Sequence, residues 1–311
     1  MNPRYLLFIF TFFLISCSDS RFSKKKIKEV SFKKEKNYDY YFQEGKLDSA
    51  KIYIEELYNK EPNDKNILVK RGDIYFLLND FEVAEESWLK CVSLDLKDEV
   101  CYEKLTNLYC VVDGLIGENC YNIISKTLKI NEDNKIALFY KAKRFSKENN
   151  INNAINLYEK LLKDDPNNLI LLNELAVLYE PSSLQSKVYY NKMVEIDSNY
   201  IGFYGLAMHF QKNQLFESAI ENYNNALSIE KNKNAYYNIG YCYLEMNFPD
   251  KAIDFFSKVI NIDPSHVLAY YGRGYSYSLI KKNKLAIEDY KFCLMLEPGF
   301  EDARNQLEKI K

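Results

Sequence analysis

The chain is 311 residues long, 47% apolar and 28% charged, enough apolar material for a large core and too much for a disordered chain. Ten glycines and seven prolines are few for this length, which argues against a turn-dense β protein and for long helices. The net charge of −2 divides unevenly: residues 17–36 hold eight Lys/Arg against three Asp/Glu, Arg4 adds one more, and residues 37–311 carry −8, so the main body repels phosphate and nucleic acid is not an expected partner.

The first predicted element is not part of the fold. Arg4 precedes an apolar run from Tyr5 to Ile15, too short to span a bilayer comfortably and of the length of a signal-peptide core. The run closes on Leu14-Ile15-Ser16-Cys17, two apolar residues, a small one and a cysteine. This resembles the lipobox of bacterial lipoproteins, and the resemblance implies cleavage after residue 16 and a lipid on the thiol of Cys17. An ordinary secretory signal with a cysteine at that place by chance is the alternative. Residues 1–16 are thus read as a signal peptide and residues 17–30 as a lipidated, lysine-rich tether. Ser18, rather than Asp, follows the cysteine, which resembles the outer-membrane class more than the inner. The expected location is the bacterial cell envelope, facing the periplasm or the cell surface.

From residue 31 onward a small residue recurs with constant company. Ala50, Ala84, Ala154, Ala219, Ala252 and Ala286 are each followed four residues later by a large side chain: Ile54, Trp88, Tyr158, Tyr223, Phe256 and Tyr290. Seven residues after them come Leu57, Cys91, Leu161, Ala226, Val259 and Cys293. Twelve residues before most of them stands another small residue, Gly72, Ala142, Ala207, Gly240 or Gly274, with an aromatic three beyond it. Spacings of three, four and seven place these residues on one face of each of two helices, and small residues let the pair approach closely. Pro62, Pro166, Pro264 and Pro298 punctuate the exits. Each hairpin leaves apolar surface that only its neighbours can cover, so the units must stack.

The pattern resembles the tetratricopeptide repeat (TPR) family. Eight units fit, at about 31–64, 65–98, 99–133, 135–168, 169–199, 200–232, 233–266 and 267–300. The third is degenerate, with two extra residues around Asp113-Gly114, and the fifth is shortened near Pro181, with Ser186 in place of the alanine. Residues 301–311 form a last amphipathic segment that would cap the stack. The fold class implied is an all-α, right-handed superhelical solenoid whose first helices line a concave groove.

The remaining chemistry is sparse. The two histidines, His209 and His266, read as a packed or rim residue and a solvated loop residue. There is no zinc-spaced Cys/His cluster, no glycine-rich phosphate loop and no nucleophile beside a base, so no enzyme activity, metal or cofactor is expected. Cys91 and Cys101 are equidistant from residue 96, in a turn between repeats, and Cys110 and Cys120 from residue 115, in the turn of repeat three. Residues equidistant from the turn of an antiparallel hairpin lie side by side, so both pairs are candidate disulfides in an exported protein. The alternative is four buried thiols serving as small apolar residues. Cys242 and Cys293 read as core fillers.

In the family, the groove-facing positions are the second, fifth, sixth, ninth, twelfth and thirteenth of each unit. Carried onto this chain, they select Tyr204, Met208, Tyr237, Asn238, Tyr241, Tyr271 and Tyr275 as the partner-binding groove. Tyrosine gives contact area and a hydrogen bond at low entropic cost. Asn238 is expected to bond the backbone of an extended segment. The two-carboxylate clamp of chaperone-docking members is incomplete: its remaining positions around Asn238 are held by Tyr204, Met208, Leu268 and Gly272. The function implied is a membrane-anchored scaffold that binds protein or peptide partners, for which cell-envelope assembly is the expected setting. The alternative is a glycan or peptidoglycan strand in the same tyrosine-lined groove.

Overall fold

The computed structural model describes residues 38–112 and 114–310. The lipobox, Cys17, the tether, Asp113 and the first residues of repeat one lie outside them.

Helices are the only regular elements among the described residues, and they fall into two units. The first unit ends at Tyr53 and contains α1 (Tyr38–Gln43) and the first half of α2 (Leu47–Lys60), where Ala50 is fully buried. The second runs from Ile54 to the end of the chain. In it follow α3 (Lys65–Leu77), α4 (Phe81–Leu94), α5 (Glu99–Val112), α6 (Glu118–Ile130), α7 (Lys135–Lys147), α8 (Ile151–Asp164), α9 (Leu169–Leu178) and α10 (Leu184–Ile196). The series continues with α11 (Tyr200–Lys212), α12 (Phe216–Ile229), α13 (Lys233–Glu245), α14 (Pro249–Ile262), α15 (Val267–Leu279), α16 (Asn283–Leu296) and α17 (Glu301–Ile310). Each helix of the second unit packs chiefly on its neighbours in sequence, so the unit is an α-solenoid of hairpins closed by α17.

Local chemistry starts and stops each hairpin. The side chains of Asp64, Asn134, Asn168, Asn199, Asn232 and His266 each accept a backbone N–H in the first turn of the helix they precede, and Asp98 accepts from Cys101 in the same way. A cap of this kind contributes about 1 kcal/mol by satisfying an orphaned donor. The hairpin turn of repeats two, four, six, seven and eight uses one left-handed residue at the fifteenth position: Asn79, Asn149, Gln214, Asn247 and Lys281, with φ between 59° and 62°. Asparagine tolerates that region better than most side chains, which accounts for its use in three of the five.

The core repeats with the sequence. Ala84, Ala154, Ala219, Ala252 and Ala286 are fully buried, and Trp88, Tyr158, Tyr223, Phe256 and Tyr290 are buried to within 1% of completely. The irregular repeats depart as their residues require. In repeat five, α9 spans ten residues and stops before Pro181, and Ser186 is buried with its hydroxyl unpartnered where other repeats put alanine. Repeat six closes over that gap: His209 Nδ1–H donates to the carbonyl of Pro181 at 3.0 Å, and Asn213 donates to Ser182 at 3.1 Å. In repeat three, the buried hydroxyls of Thr106 and Thr127 meet at 2.9 Å. Disulfides join Cys91 to Cys101 and Cys110 to Cys120, with Cα atoms 6.3 and 4.7 Å apart. The first ties the end of α4 to the start of α5, and the second ties α5 to α6. The capping helix buries Ala303 and packs Leu307 and Ile310, with Phe300 just before it, on the cluster of the last repeats.

Candidate functional site

The face of α11, α13 and α15 that carries the groove positions is built as a ladder. At the fifth position of each repeat a ring rests on the ring nineteen residues later in its own second helix. Tyr204 meets Tyr223 at a centroid distance of 5.4 Å, Tyr237 meets Phe256 at 5.6 Å, and Tyr271 meets Tyr290 at 6.0 Å. Phe139 and Tyr158 make the same contact in repeat four at 5.9 Å. Tyr204, Tyr237 and Tyr271 are therefore half-buried wall residues rather than free side chains, and Phe139 is buried.

Other contacts extend the wall. Tyr204 stacks on Tyr200, which the sequence reading did not single out, and Tyr271 packs edge-on against Phe300 of the capping segment. Asn238 does not wait for a ligand with its whole amide: Nδ2 donates to the Tyr204 hydroxyl at 3.0 Å, linking repeat seven to repeat six. His266 likewise departs from the expectation of a solvated loop residue. Its Nδ1 accepts the N–H of Ala269 at 3.1 Å as the cap of α15, and its ring lies 5.3 Å from that of Tyr237. The asparagine or aspartate preceding the other first helices was the available signal for this role.

The ninth position is more open. Tyr241 is 37% exposed, Tyr275 is half-buried beside Tyr271, and Met208 is half-buried against the cluster around Tyr223. Two second-position side chains, Ile201 and Leu268, are each 46% exposed. Burial pushes the hydroxyls of Tyr204, Tyr237, Tyr241 and Tyr271 up from their ordinary value, so all four stay neutral and serve as hydrogen-bonding groups. Tyr236 and Tyr243, on the opposite side of α13 from Tyr237 and Tyr241, pack on Phe255 within the hairpin.

The remaining reactive groups are engaged. Burial pushes the thiols of Cys242 and Cys293 up to about 12, which keeps them protonated and unreactive. Cys91, Asp98 and Cys101 lie close enough to suggest a metal cluster, but the two sulfurs are joined to each other, and Asp98 both caps α5 and pairs with Lys65 at 2.7 Å. No helix of the described residues is long and apolar enough to cross a membrane.

A stack of helical hairpins defines the α-solenoid class of folds. Tetratricopeptide repeat models match residues 66–98, 234–266 and 267–300, and the chain carries tetratricopeptide repeats, a motif that mediates protein–protein interaction. It is 24% identical over 284 residues to the TPR repeat-containing protein MJ1428 of Methanocaldococcus jannaschii, across 82% of this chain and 50% of that protein. It is 25% identical over 244 residues to the Hsp70-Hsp90 organizing protein of Triticum aestivum, across 73% of this chain and 40% of that one. The chain thus spans half or less of the length of these curated relatives. Among solved structures, the APC/C hetero-tetramer Cut9-Hcn1 superposes with a TM-score of 0.54 at 15% identity, covering 88% of this chain and 54% of that one, a likeness of fold alone.

Proposed function

We propose that this protein is a membrane-tethered scaffold of the bacterial cell envelope, held by a lipid on Cys17, whose first-helix face in repeats six to eight binds an extended segment of a protein partner. The observation that carries the reading is the combination on that face of exposed apolar groups, Ile201, Tyr241 and Leu268, with a wall of rings already fixed in place. A preorganised wall loses little entropy on binding. The interaction role of tetratricopeptide repeats supports it. The incomplete carboxylate clamp around Asn238 weighs against a chaperone tail as the ligand. A protein segment is favoured over a glycan strand because stacking on a sugar needs an uncovered ring face, and Tyr204 and Tyr271 already stack on Tyr200 and Tyr275.

The test uses the open positions, since alanine at Tyr237 or Tyr271 would also remove core contacts. Tyr241→Ala with Leu268→Ala is expected to cut recovery of a cross-linked protein partner from native membranes about tenfold or more, as loss of two central contacts does, while leaving the helical melting transition in place. Undiminished recovery refutes the groove, and retention on purified glycan strands without any protein partner favours the glycan alternative. The anchor is tested separately. Cys17→Ser is expected to move the protein from the membrane to the soluble fraction on cell fractionation, and a variant that stays membrane-bound refutes lipidation.

A further inference from the structure

A cavity of about 470 Å³ lies between α6 and α7, where repeat three meets repeat four. Its volume is in the range of ligand pockets. Ile124, Leu128 and Phe145 give it an apolar floor, and Lys129, Lys141 and Arg144 stand around it with Glu148 as the one lining carboxylate.

The cations there are underused, and comparison with other repeats shows why. Lys141 holds the seventh position of its repeat, where repeats two and eight place Arg71 and Arg273. Those arginines bond to residues sixteen before and sixteen after: Arg71 to Glu55 and Ser87, both at 2.7 Å, and Arg273 to Ser257 at 3.2 Å and bidentately to Asp289. The residues sixteen either side of Lys141 are Ser125 and Leu157, so no carboxylate meets it. Neither Lys141 nor Lys129 forms an ion pair among the described residues. Arg144 pairs only with Glu148, at 2.7 Å, its guanidinium lies 4.7 Å from the ring centre of the half-exposed Tyr121, and its Nη1 is buried without an acceptor. A net positive, apolar-floored cleft thus opens in a body that is otherwise acidic.

The cleft is separate from the groove. On α7 the groove positions are Ile136, Phe139, Tyr140, Lys143, Ser146 and Lys147, and a turn of 100° per residue puts Lys141, Phe145 and Glu148 on the opposite side of the helix, with Arg144 at the edge of that side.

We propose that this cleft is a second docking site, for an acidic peptide segment that carries one large apolar side chain. The side chain would fill the floor, and flanking carboxylates would pair with Lys129, Lys141 and Arg144. The other anionic surface within reach, a phospholipid bilayer, fits less well, because three cations around a cleft in an acidic body do not form the extended basic patch that holds a protein to anionic lipid.

The probe is a fluorescein-labelled Asp-Glu-Phe-Asp-Glu peptide, titrated by anisotropy against the full chain. Saturable binding is expected, weakened about tenfold by Lys129→Gln with Lys141→Gln, by replacing the peptide's Phe with Ser, and by raising the salt to about 0.5 M. Lys129 is exposed and Lys141 half-buried, and neither forms an ion pair among the described residues, so the variant should melt like the parent by circular dichroism; Arg144→Gln is the second variant and should weaken binding in the same direction. Absence of saturable binding, affinity unchanged in both variants, or equal affinity for a Lys-Arg-Phe-Lys-Arg peptide overturns the proposal. Lysine-dependent retention on phosphatidylglycerol vesicles without peptide binding overturns it in favour of a membrane contact.

Discussion

Gly72→Ala is expected to lower the stability of the second repeat by about 3 kcal/mol, the upper part of the range for forcing a group into a packed core. A Cβ at Gly72 would collide with three atoms of the Trp88 indole, and Trp88 is 1% exposed. The ring has no easy retreat. Its N–H donates to the carbonyl of Val69 at 3.4 Å, and Phe76 packs on it at 5.8 Å. Repeats four and six hold alanine at the equivalent place, Ala142 and Ala207, opposite Tyr158 and Tyr223. Trp88 is the only tryptophan in the chain, so its fluorescence reports on this repeat directly. The urea midpoint followed by fluorescence should fall well below that of the parent, and Trp88→Phe placed in the same chain, followed by circular dichroism because it removes the tryptophan, should recover part of the loss. A midpoint equal to the parent's would mean that the close approach of α3 and α4 is not what this glycine serves.

The second large effect concerns repeat three. Loss of each disulfide is expected to destabilise the array by about 2.7 kcal/mol, the loop-closure entropy for cysteines ten residues apart, and loss of both by about 5 kcal/mol. This repeat has most need of them. It carries a longer turn, and where its neighbours pack small apolar residues it buries a pair of threonine hydroxyls. Titration of the denatured, unreduced mature chain with a thiol reagent should find Cys242 and Cys293 free, and Cys91, Cys101, Cys110 and Cys120 blocked. Six reactive thiols would sink the pairing and leave these cysteines as small core residues. With the bonds in place, Cys91→Ala with Cys101→Ala should lower the melting temperature of the oxidised protein, and reductant should lower the parent's further still. Trp88 lies three residues from Cys91, so fluorescence again reads the local opening.

Much of the fold was legible in the sequence, because a helical hairpin repeats its packing constraints at constant spacing. An alanine at Ala154, a ring at Tyr158 and a small residue at Ala142 leave one register in which two helices can close on each other, and all three are buried as that register demands. The division of the α13 tyrosines has the same origin: Tyr236 and Tyr243 differ from Tyr237 and Tyr241 in helical phase, and phase follows from residue number.

What the tertiary structure decided is how these side chains are occupied by others far away in sequence. The family's groove positions select Tyr204, Tyr237 and Tyr271, but only the folded chain shows each ring braced on a second-helix ring nineteen residues later. The same positions imply that Asn238 faces a ligand, and the structure turns one of its donors to Tyr204, thirty-four residues away. His266 looked like a loop residue because a histidine cap is rarer than the asparagines and aspartates that cap the other first helices. The cleft between α6 and α7 was least visible of all. Lys141 is basic like Arg71 and Arg273 at the same position, and it becomes a candidate binding group only because the partners that engage those arginines are missing around it. Periodic burial is a property of each helix and can be read along the chain, whereas an unpaired charge depends on which neighbours arrive, and that is settled by packing.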